Sequence, residues 1–270
     1  MALRIVSLNA WGGRLHRPLL DYLAACNADI YCLQEIVRDP ASTMSQWSAY
    51  RDGAHELAQR TNLLEEIRAA LPEHDAFFAP NATGDLFVGV DRVPTFFGLA
   101  TFVRRTLAVV GQATDFVHGS FSAEGFGAHP RPRNAHCVRL YEAAGGRTLT
   151  VCHMHGLRDL AGKSDTEERD AQARSLLRLI RQVWAEGEPL IVCGDFNVLP
   201  DSRTFEILSE AGLADLVTAR GFTDTRTSHY SKDVRFADYM LTNSAVKVVS
   251  FDVVERPEVS DHRPLLLEME

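Results

Sequence analysis

The sequence predicts a sheet-rich α/β fold, two packed mixed β-sheets flanked by helices, in one domain over residues 1–270. Three observations carry this expectation. Apolar strand-like runs alternate with helix-like stretches, about ten of the first and about four of the second. No linker, internal repeat or low-complexity segment divides them. The composition is globular, 46% hydrophobic and 24% charged in 270 residues, against a rule of roughly 150 residues per domain.

Arg4–Asn9 is short, apolar and β-branched, so it reads as a strand. Leu15–Cys26 places Leu15, Leu19, Leu20 and Leu23 at helical spacing, and Asp29–Gln34 is a second strand. Ala54–Leu71 reads as a helix with Leu57, Leu64, Ile67 and Leu71 on one stripe. Phe96–Val103 and Leu107–Val117 read as a strand pair split by a turn at Arg104–Arg105. Gly119–Arg133, with three glycines and two prolines, is a loop, and an active-site loop is one reading of it. Cys137–Glu142 and Arg147–His153 flank Gly145–Gly146 as a hairpin. Ser164 and Glu167 form a capping box ahead of a helix carrying Leu176, Leu177, Ile180, Val183 and Trp184 on one face. Leu190–Cys193 is a buried-type strand and Phe205–Ala211 a short helix. Phe236–Thr242, Val246–Val254 and Leu265–Met269 are the remaining strands.

Lys plus Arg is 28 and Asp plus Glu is 36, a net charge of −8, which argues against a basic nucleic-acid scaffold. An acidic chain still handles phosphates when metal ions neutralise the site. The longest apolar runs, such as Pro189–Cys193 and Pro264–Leu267, fall far short of the ~20 residues of a spanning helix. No signal-peptide pattern is visible, and no stable membrane insertion is expected. Five cysteines, without a CxxC and mostly inside apolar runs, read as buried reduced thiols, which points to the cytoplasm.

The sharpest chemical segment is Cys193-Gly194-Asp195-Phe196-Asn197, where a buried strand meets polar residues. In an extended chain Asp195 and Asn197 share a face while Phe196 points to the core. A carboxylate there holds a metal or activates water; an Asx turn is the plain alternative. Ser260-Asp261-His262 sets an acid beside an imidazole that titrates near neutral pH. His153 and His155 lie on one face of a strand end, where a zinc ligand pair and a phosphate contact are both open. Asn9 and Glu35 end two further strands. Acids and histidines gathered at strand ends make a site and favour a hard cation such as Mg²⁺ or Mn²⁺.

In chain order, Ser7-Leu8-Asn9-Ala10-Trp11, Leu33-Gln34-Glu35, Phe97-Gly98-Leu99-Ala100 with Arg104, His153, Gly194-Asp195-Phe196-Asn197, Ala237-Asp238-Tyr239-Met240-Leu241 and Ser260-Asp261-His262 resemble the endonuclease/exonuclease/phosphatase superfamily (deoxyribonuclease I-like). The resemblance covers essentially the whole chain. It implies a four-layer α/β sandwich and metal-dependent hydrolysis of a phosphate ester. It further implies Glu35 as principal Mg²⁺ ligand with Asn9 beside it and Asp261 as a second ligand. Asp195 would orient or deprotonate the attacking water, and Asn197 would position the phosphate or Asp195. His262 would be the acid/base or phosphate contact, held by Asp238. His153 is the first choice for the phosphate-binding histidine, His155 the second. One departure stands out: no tyrosine occurs between Tyr50 and Tyr141, so a tyrosine-assisted mechanism is not expected. Arg133 and Arg235 are candidate phosphate clamps in its place.

The fold alone does not name a substrate. A small phosphodiester or phosphomonoester needs the fewest cations and is favoured. DNA or RNA cleavage would draw on a patch of Arg131, Arg133, Arg158 and Lys163. A lipid headgroup would draw on Phe116, Phe121 and Phe126. No protein partner is inferred. From other classes, a dead binding protein is opposed by the presence of Asp195, Asn197 and His262. An iron oxygenase using His153, Asp195 and His262 is opposed by the absence of a jelly-roll pattern.

Overall fold

A computed structural model describes residues 2–53 and 55–270. It contains β1 (Leu3–Asn9), α1 (His16–Cys26), β2 (Ile30–Arg38), β3 (Trp47–Asp52), β4 (His55–Arg60), α2 (Leu63–Ala70), β5 (His74–Val88), β6 (Asp91–Arg104) and β7 (Leu107–His118). There follow β8 (Arg133–Glu142), β9 (Arg147–His155), α3 (Glu167–Val183), β10 (Leu190–Asp195), α4 (Arg203–Leu208), β11 (Ala214–Asp215), α5 (Leu216–Ala219), β12 (Asp238–Thr242), β13 (Val248–Val253) and β14 (Leu265–Met269).

The strands form an eight-stranded sheet, β13-β14-β1-β2-β6-β5-β3-β4, and a six-stranded sheet, β11-β12-β10-β9-β8-β7. Both mix parallel and antiparallel pairs, such as β1 with β2 parallel and β1 with β14 antiparallel. Alternation along β1 and β2 explains the layering. Leu3, Ile5, Ile30 and Cys32 join the core between the sheets, whereas Val6, Leu8, Tyr31 and Leu33 pack with Leu19, Leu23, Leu64 and Ile67 of α1 and α2. Helix α3 buries Leu176, Leu177 and Ile180 against the six-stranded sheet. The fold is an α/β sandwich.

Several expectations are corrected. Fourteen strands occur among the described residues where about ten were expected, with β3, β4, β5 and β11 unforeseen. The proposed helix from 54 to 71 is a strand followed by a helix, with Ala54 outside the described residues. Residues 55–60 pair with β3 from Trp47↔Arg60 to Asp52↔His55, so cross-strand pairing overrides the leucine spacing. Strands β6 and β7 are not paired; they belong to different sheets. Arg104 closes β6 by donating to Asp29 (2.9 Å) and Glu73 (2.9 Å), and the chain crosses to the second sheet there. The cap of α3 is Thr166, whose hydroxyl accepts from the Arg169 amide at 3.3 Å, not Ser164. The Ser164 region serves Arg169 differently: the buried guanidinium donates to the carbonyls of Ser164 (2.6 Å) and Gly162 (2.7 Å). Cys137 and Cys152 were expected reduced but form a disulfide between facing positions of β8 and β9. Cys26, Cys32 and Cys193 remain free. No helix among the described residues is long and apolar enough to cross a membrane.

Candidate active site

Register brings the site together. Asp195 stands opposite His155 in parallel β9 and opposite Asp238 in antiparallel β12, so three polar side chains form one row across the ends of three strands. Gly194 makes this row possible. Its φ is +132°, and a Cβ there would lie 2.1 Å from the Met154 carbonyl oxygen. Phe196 is fully buried and anchors the turn. Asn197 does not continue the extended chain; its φ is +55°, a conformation costly for a side-chain-bearing residue.

The eight-stranded sheet supplies the facing half. Asn9 ends β1 on the face turned to the other sheet, and its amide nitrogen donates to Glu35 (3.1 Å) and to Asp195 (3.1 Å). Its oxygen accepts from the Trp11 amide at 3.0 Å. Glu35 sits where the register of β2 against β6 shifts between Leu33 and Ile36, with φ +58°. Strict alternation would send Glu35 toward α1 and α2. The irregularity swings it to Asn9 instead.

His262 lies in the loop before β14. Its Nδ1 is 2.8 and 2.9 Å from the two oxygens of Asp238, and its Nε2 is 3.7 Å from Asp195 Oδ2. The backbone tie Ser260 Oγ to the Asn9 carbonyl, 2.6 Å, locks this loop to β1. Asp261 accepts from Arg226 at 3.0 Å, and the same Arg226 nitrogen touches His262 Nε2. His155 Nε2 is 3.6 Å from Asp195 Oδ2, and Arg133 donates to His155 Nδ1 at 3.4 Å.

The charges interact strongly. Burial alone would raise the Asp195 carboxyl, but His262, His155, Arg226 and Lys163 hold it well below the usual carboxylate range. Burial and Arg226 oppose protonation of His262, yet Asp238, Asp261 and Asp195 carry it above the ordinary imidazole value. Burial, then Arg133, keeps His155 neutral. Glu35 is pushed up by burial and by Asp261. Lys163, whose ammonium reaches the Phe236 carbonyl, is pulled down to about 8 by burial.

Asp195, Asn9, Glu35, Asp238, Asp261, His262, His155 and Arg133 therefore converge, with Asn197 on the same turn. His153 and Arg235 do not join them. His153 is paired with Cys193 and His136, one step of two residues deeper. There it bonds Thr101 (2.8 Å) and Gln34 (3.3 Å) between the sheets. Arg235 donates to Asp224 (2.8 Å) and to the carbonyls of Arg226, Thr227 and Tyr230. It braces a loop. Sequence reasoning missed Arg226, which sits in an irregular segment without periodicity. The only sequence signal was its nearness to the Ala237-Asp238 motif.

Two groups of donors could hold a cation. Asp195, Asp238 and His262 offer ligand atoms within 4.8 Å of one another. However, the Nδ1 of His262 is already committed to Asp238. On the other side, Glu35 and Asp261 repel each other, and the buried Asp195 Oδ1 has no hydrogen-bond partner among the described residues. Oxygen donors in electrostatic conflict beside an unpartnered carboxylate oxygen suit a hard divalent ion.

The sandwich matches solved structures at low identity, which speaks to the fold. The Bacteroides thetaiotaomicron mannosyl-6-phosphatase matches with TM-score 0.69 and 16% identity, covering 99% of each chain. The human Nocturnin catalytic domain with bound sulfate matches with TM-score 0.67 and 20% identity, over 100% of this chain and 93% of that one. D. rerio TDP2 complexed with single-strand DNA product matches with TM-score 0.65 and 17% identity, over 100% and 99%. No curated protein sequence matches the chain. The sequence model described as the Endonuclease/Exonuclease/phosphatase family matches residues 6–262. With nearly the whole chain matched and every motif from Asn9 to His262 inside that span, the protein belongs to the Endonuclease/Exonuclease/phosphatase family.

Proposed function

We propose that the chain is a divalent-cation-dependent phosphoesterase that cleaves a small phosphate ester by in-line attack of water. One observation carries the reading. A buried row of His155, Asp195 and Asp238 is closed by His262, and an Asp195 oxygen is left without a partner. Glu35 would hold the cation, with Asp261 beside it. Asn9, whose oxygen is engaged by Trp11, spaces Glu35 from Asp195. A bound Mg²⁺ or Mn²⁺ would neutralise charge on the phosphoryl oxygens.

The chain's own groups divide the remaining work. Asp195 stays ionised and takes or orients the proton of the attacking water through Oδ1. His262, held in one tautomer by Asp238, turns Nε2 toward Asp195 and Arg226, and would serve as the acid/base once a bound phosphate oxygen draws the Arg226 nitrogen off Nε2. Neutral His155, backed by Arg133, contacts the phosphoryl group from the opposite side. Asn197 orients the phosphate without adding charge.

Nucleic-acid cleavage is the competing reading. It is weakened by the net charge of −8 and by Arg131, whose charge is already met by Asp52 at 3.0 Å. The test is a substrate panel of aryl phosphates, sugar phosphates, phosphoinositide headgroups, single-stranded RNA and plasmid DNA. Turnover that chelator abolishes, Mg²⁺ or Mn²⁺ restores, and Asp195→Asn removes supports the reading. Turnover indifferent to chelator and to Asp195→Asn overturns it.

A further inference from the structure

Beside the Asp195 turn lies a cleft that the proposed chemistry does not use. Its volume is about 180 Å³, and it is lined by Lys163, Ser164, Asp165, Leu199, Asp201 and Ser202. One wall belongs to the loop between β9 and α3, which starts directly after His155, and the other follows the Asn197 turn. The walls are tied to each other. Ser202 Oγ donates to Asp165 at 2.6 Å, and the Arg203 amide donates to the same carboxylate at 3.0 Å. The first loop is held at both ends. The Leu157 amide donates to Gln172 Oε1 at 2.7 Å, and the Arg169 guanidinium grips the carbonyls of Gly162 and Ser164, one on either side of Lys163. Lys163 points its ammonium at the chain entering β12, where it donates to the Phe236 carbonyl. The next carbonyl, that of Ala237, accepts from the amides of Phe196 (2.8 Å) and Asn197 (3.2 Å). The charges of Asp195 and Asp238 act on the ammonium at that position.

From this cleft we infer that the alcohol released from the phosphate ester is rich in hydroxyl groups, as a hexose or another polyol is, and that Lys163 and Asp201 recognise it. The inference rests on the phosphoesterase reading above and names the leaving group of that same site. The lining carries it, since five of the six residues are polar. An ammonium has three donors. One goes to the Phe236 carbonyl, and two remain. Asp201 is exposed and makes no ion pair among the described residues. Each oxygen of Asp165 accepts one bond and keeps a lone pair. The serine hydroxyls both donate and accept. Such a mixture of donors and acceptors matches a row of hydroxyls, each of which is donor and acceptor at once.

The same lining disfavours other leaving groups. Leu199 is its one apolar residue, too little surface for an acyl chain. No aromatic residue is among those lining it, so a nucleobase would have no ring to stack on. An apolar group seated there would strip water from Lys163, Asp165 and Ser202 and return no hydrogen bond. The size agrees. A cleft of about 180 Å³ is smaller than the roughly 300–1,000 Å³ of a site enclosing a whole drug-sized ligand. It suits a single ring or a short polyol whose phosphate lies outside it, beside Asp195. The reaction needs no further reactant, because ester plus water gives alcohol plus phosphate. The water oxygen bonds to phosphorus, the bond from phosphorus to the alcohol oxygen breaks, and that oxygen keeps the electron pair and takes up a proton.

The test compares esters of primary alcohols under Mg²⁺ and under Mn²⁺: the 6-phosphates of glucose, mannose and galactose against hexyl phosphate and benzyl phosphate. At least one hexose ester is expected to exceed the hexyl and benzyl esters in kcat/KM by about tenfold or more. Lys163→Met should lower the hexose value by about 10- to 100-fold, mainly through KM, and the hexyl value far less. Asp201→Ala, at an exposed position, should lower the hexose value by about 3- to 10-fold. Lys163→Arg should recover part of the preference. Turnover of hexyl phosphate reports that each variant is folded. A binding arm titrates the Asp195→Asn protein, with and without Lys163→Met, using the hexose esters and hexyl phosphate. Tighter binding of a hexose ester that is lost with Lys163→Met is expected. Hexyl or benzyl turnover equal to or above that of every hexose ester overturns the inference and leaves the phosphoesterase reading standing. So does a hexose preference that both Lys163→Met and Asp201→Ala leave unchanged, or an equal loss on all esters in both. Silence on all esters, with hexose esters still bound preferentially through Lys163, sinks the phosphoesterase reading and keeps the cleft as a polyol site. Absence of both turnover and preferential binding overturns both.

Discussion

Acid should unfold this protein through two histidines that take no part in the proposed chemistry. His136 is 3% exposed and accepts from the Thr101 hydroxyl at 2.6 Å, while Thr101 also meets His153 at 2.8 Å. Burial pulls His136 from 6.5 down to about 4 and keeps His153 neutral well below its ordinary value. The folded ring is therefore neutral over a range where the unfolded ring is protonated. The unfolded state binds more protons there, so stability falls as pH falls. The contribution is fully present above about 6.5 and lost progressively down to about 4. Each pH unit of difference between the two values is worth about 1.4 kcal/mol. For His136 alone the loss approaches about 3 kcal/mol, and about 2–3 kcal/mol of it is reached by pH 4.5. A loss of that size is a large part of the 5–15 kcal/mol typical of a folded domain.

The assay is urea denaturation at pH 7.5, 6.5, 5.5 and 4.5 for the wild type and for His136→Gln. The variant keeps a polar partner for Thr101 but cannot be protonated. Carboxylate titrations common to both proteins cancel in the difference. The stability gap between the two should shift by about 2–3 kcal/mol in favour of the variant between pH 7.5 and pH 4.5. Parallel curves with equal m-values would refute the reasoning, since they would mean that His136 releases no stability on protonation.

Three further outcomes are expected. Asp238→Asn removes the charged partner of buried His262 and should cost about 2–3 kcal/mol in kcat/KM, about 30- to 150-fold, with little change in Tm; activity assays and a melting curve check this together. His155→Ala and His153→Ala should separate cleanly despite lying two residues apart. The first should lose turnover at nearly normal stability, whereas the second should lose about 1–3 kcal/mol of stability by stranding Thr101 and Gln34. Arg235→Met should lower Tm by leaving the Arg226, Thr227 and Tyr230 carbonyls unpaired, and should weaken turnover only through displacement of Arg226. A circular dichroism melt beside a KM measurement distinguishes the two effects.

The site was legible in the sequence wherever an apolar strand ran directly into a polar residue. Asn9 and Asp195 follow from that rule, whereas Asp238 and its pairing with His262 followed from the resemblance. What the sequence could not show was register. His153 and His155 share a face, and only the pairing of Asp195 with His155 decides which of them reaches the site. Glu35 needed an irregularity in β2 that no local pattern announces. Arg226 needed the path of an irregular loop. The fold was less legible where pairing is remote. Residues 55–60 carry helix-compatible spacing yet are captured by β3 through the turn at Gly53, φ +57°. Strand β5 also escaped detection, because Asn81, Gly84 and Asp85 interrupt its apolar residues, and with it the outer part of β6 that pairs there.

Strand β14 is inserted between β13 and β1, and the loop before it carries Ser260, Asp261 and His262. One short stretch thus completes both the sheet and the candidate site. Cleavage by a protease anywhere between β13 and Ser260, with loss of the released piece, would bare a long edge of β1 and remove Asp261 and His262 together. Damage there strikes the sheet and the candidate site at once. It leaves a chain with an unpaired strand, which is the kind of surface that chaperones and degradation machinery recognise. The geometry therefore ties quality control of the fold to the integrity of the candidate site.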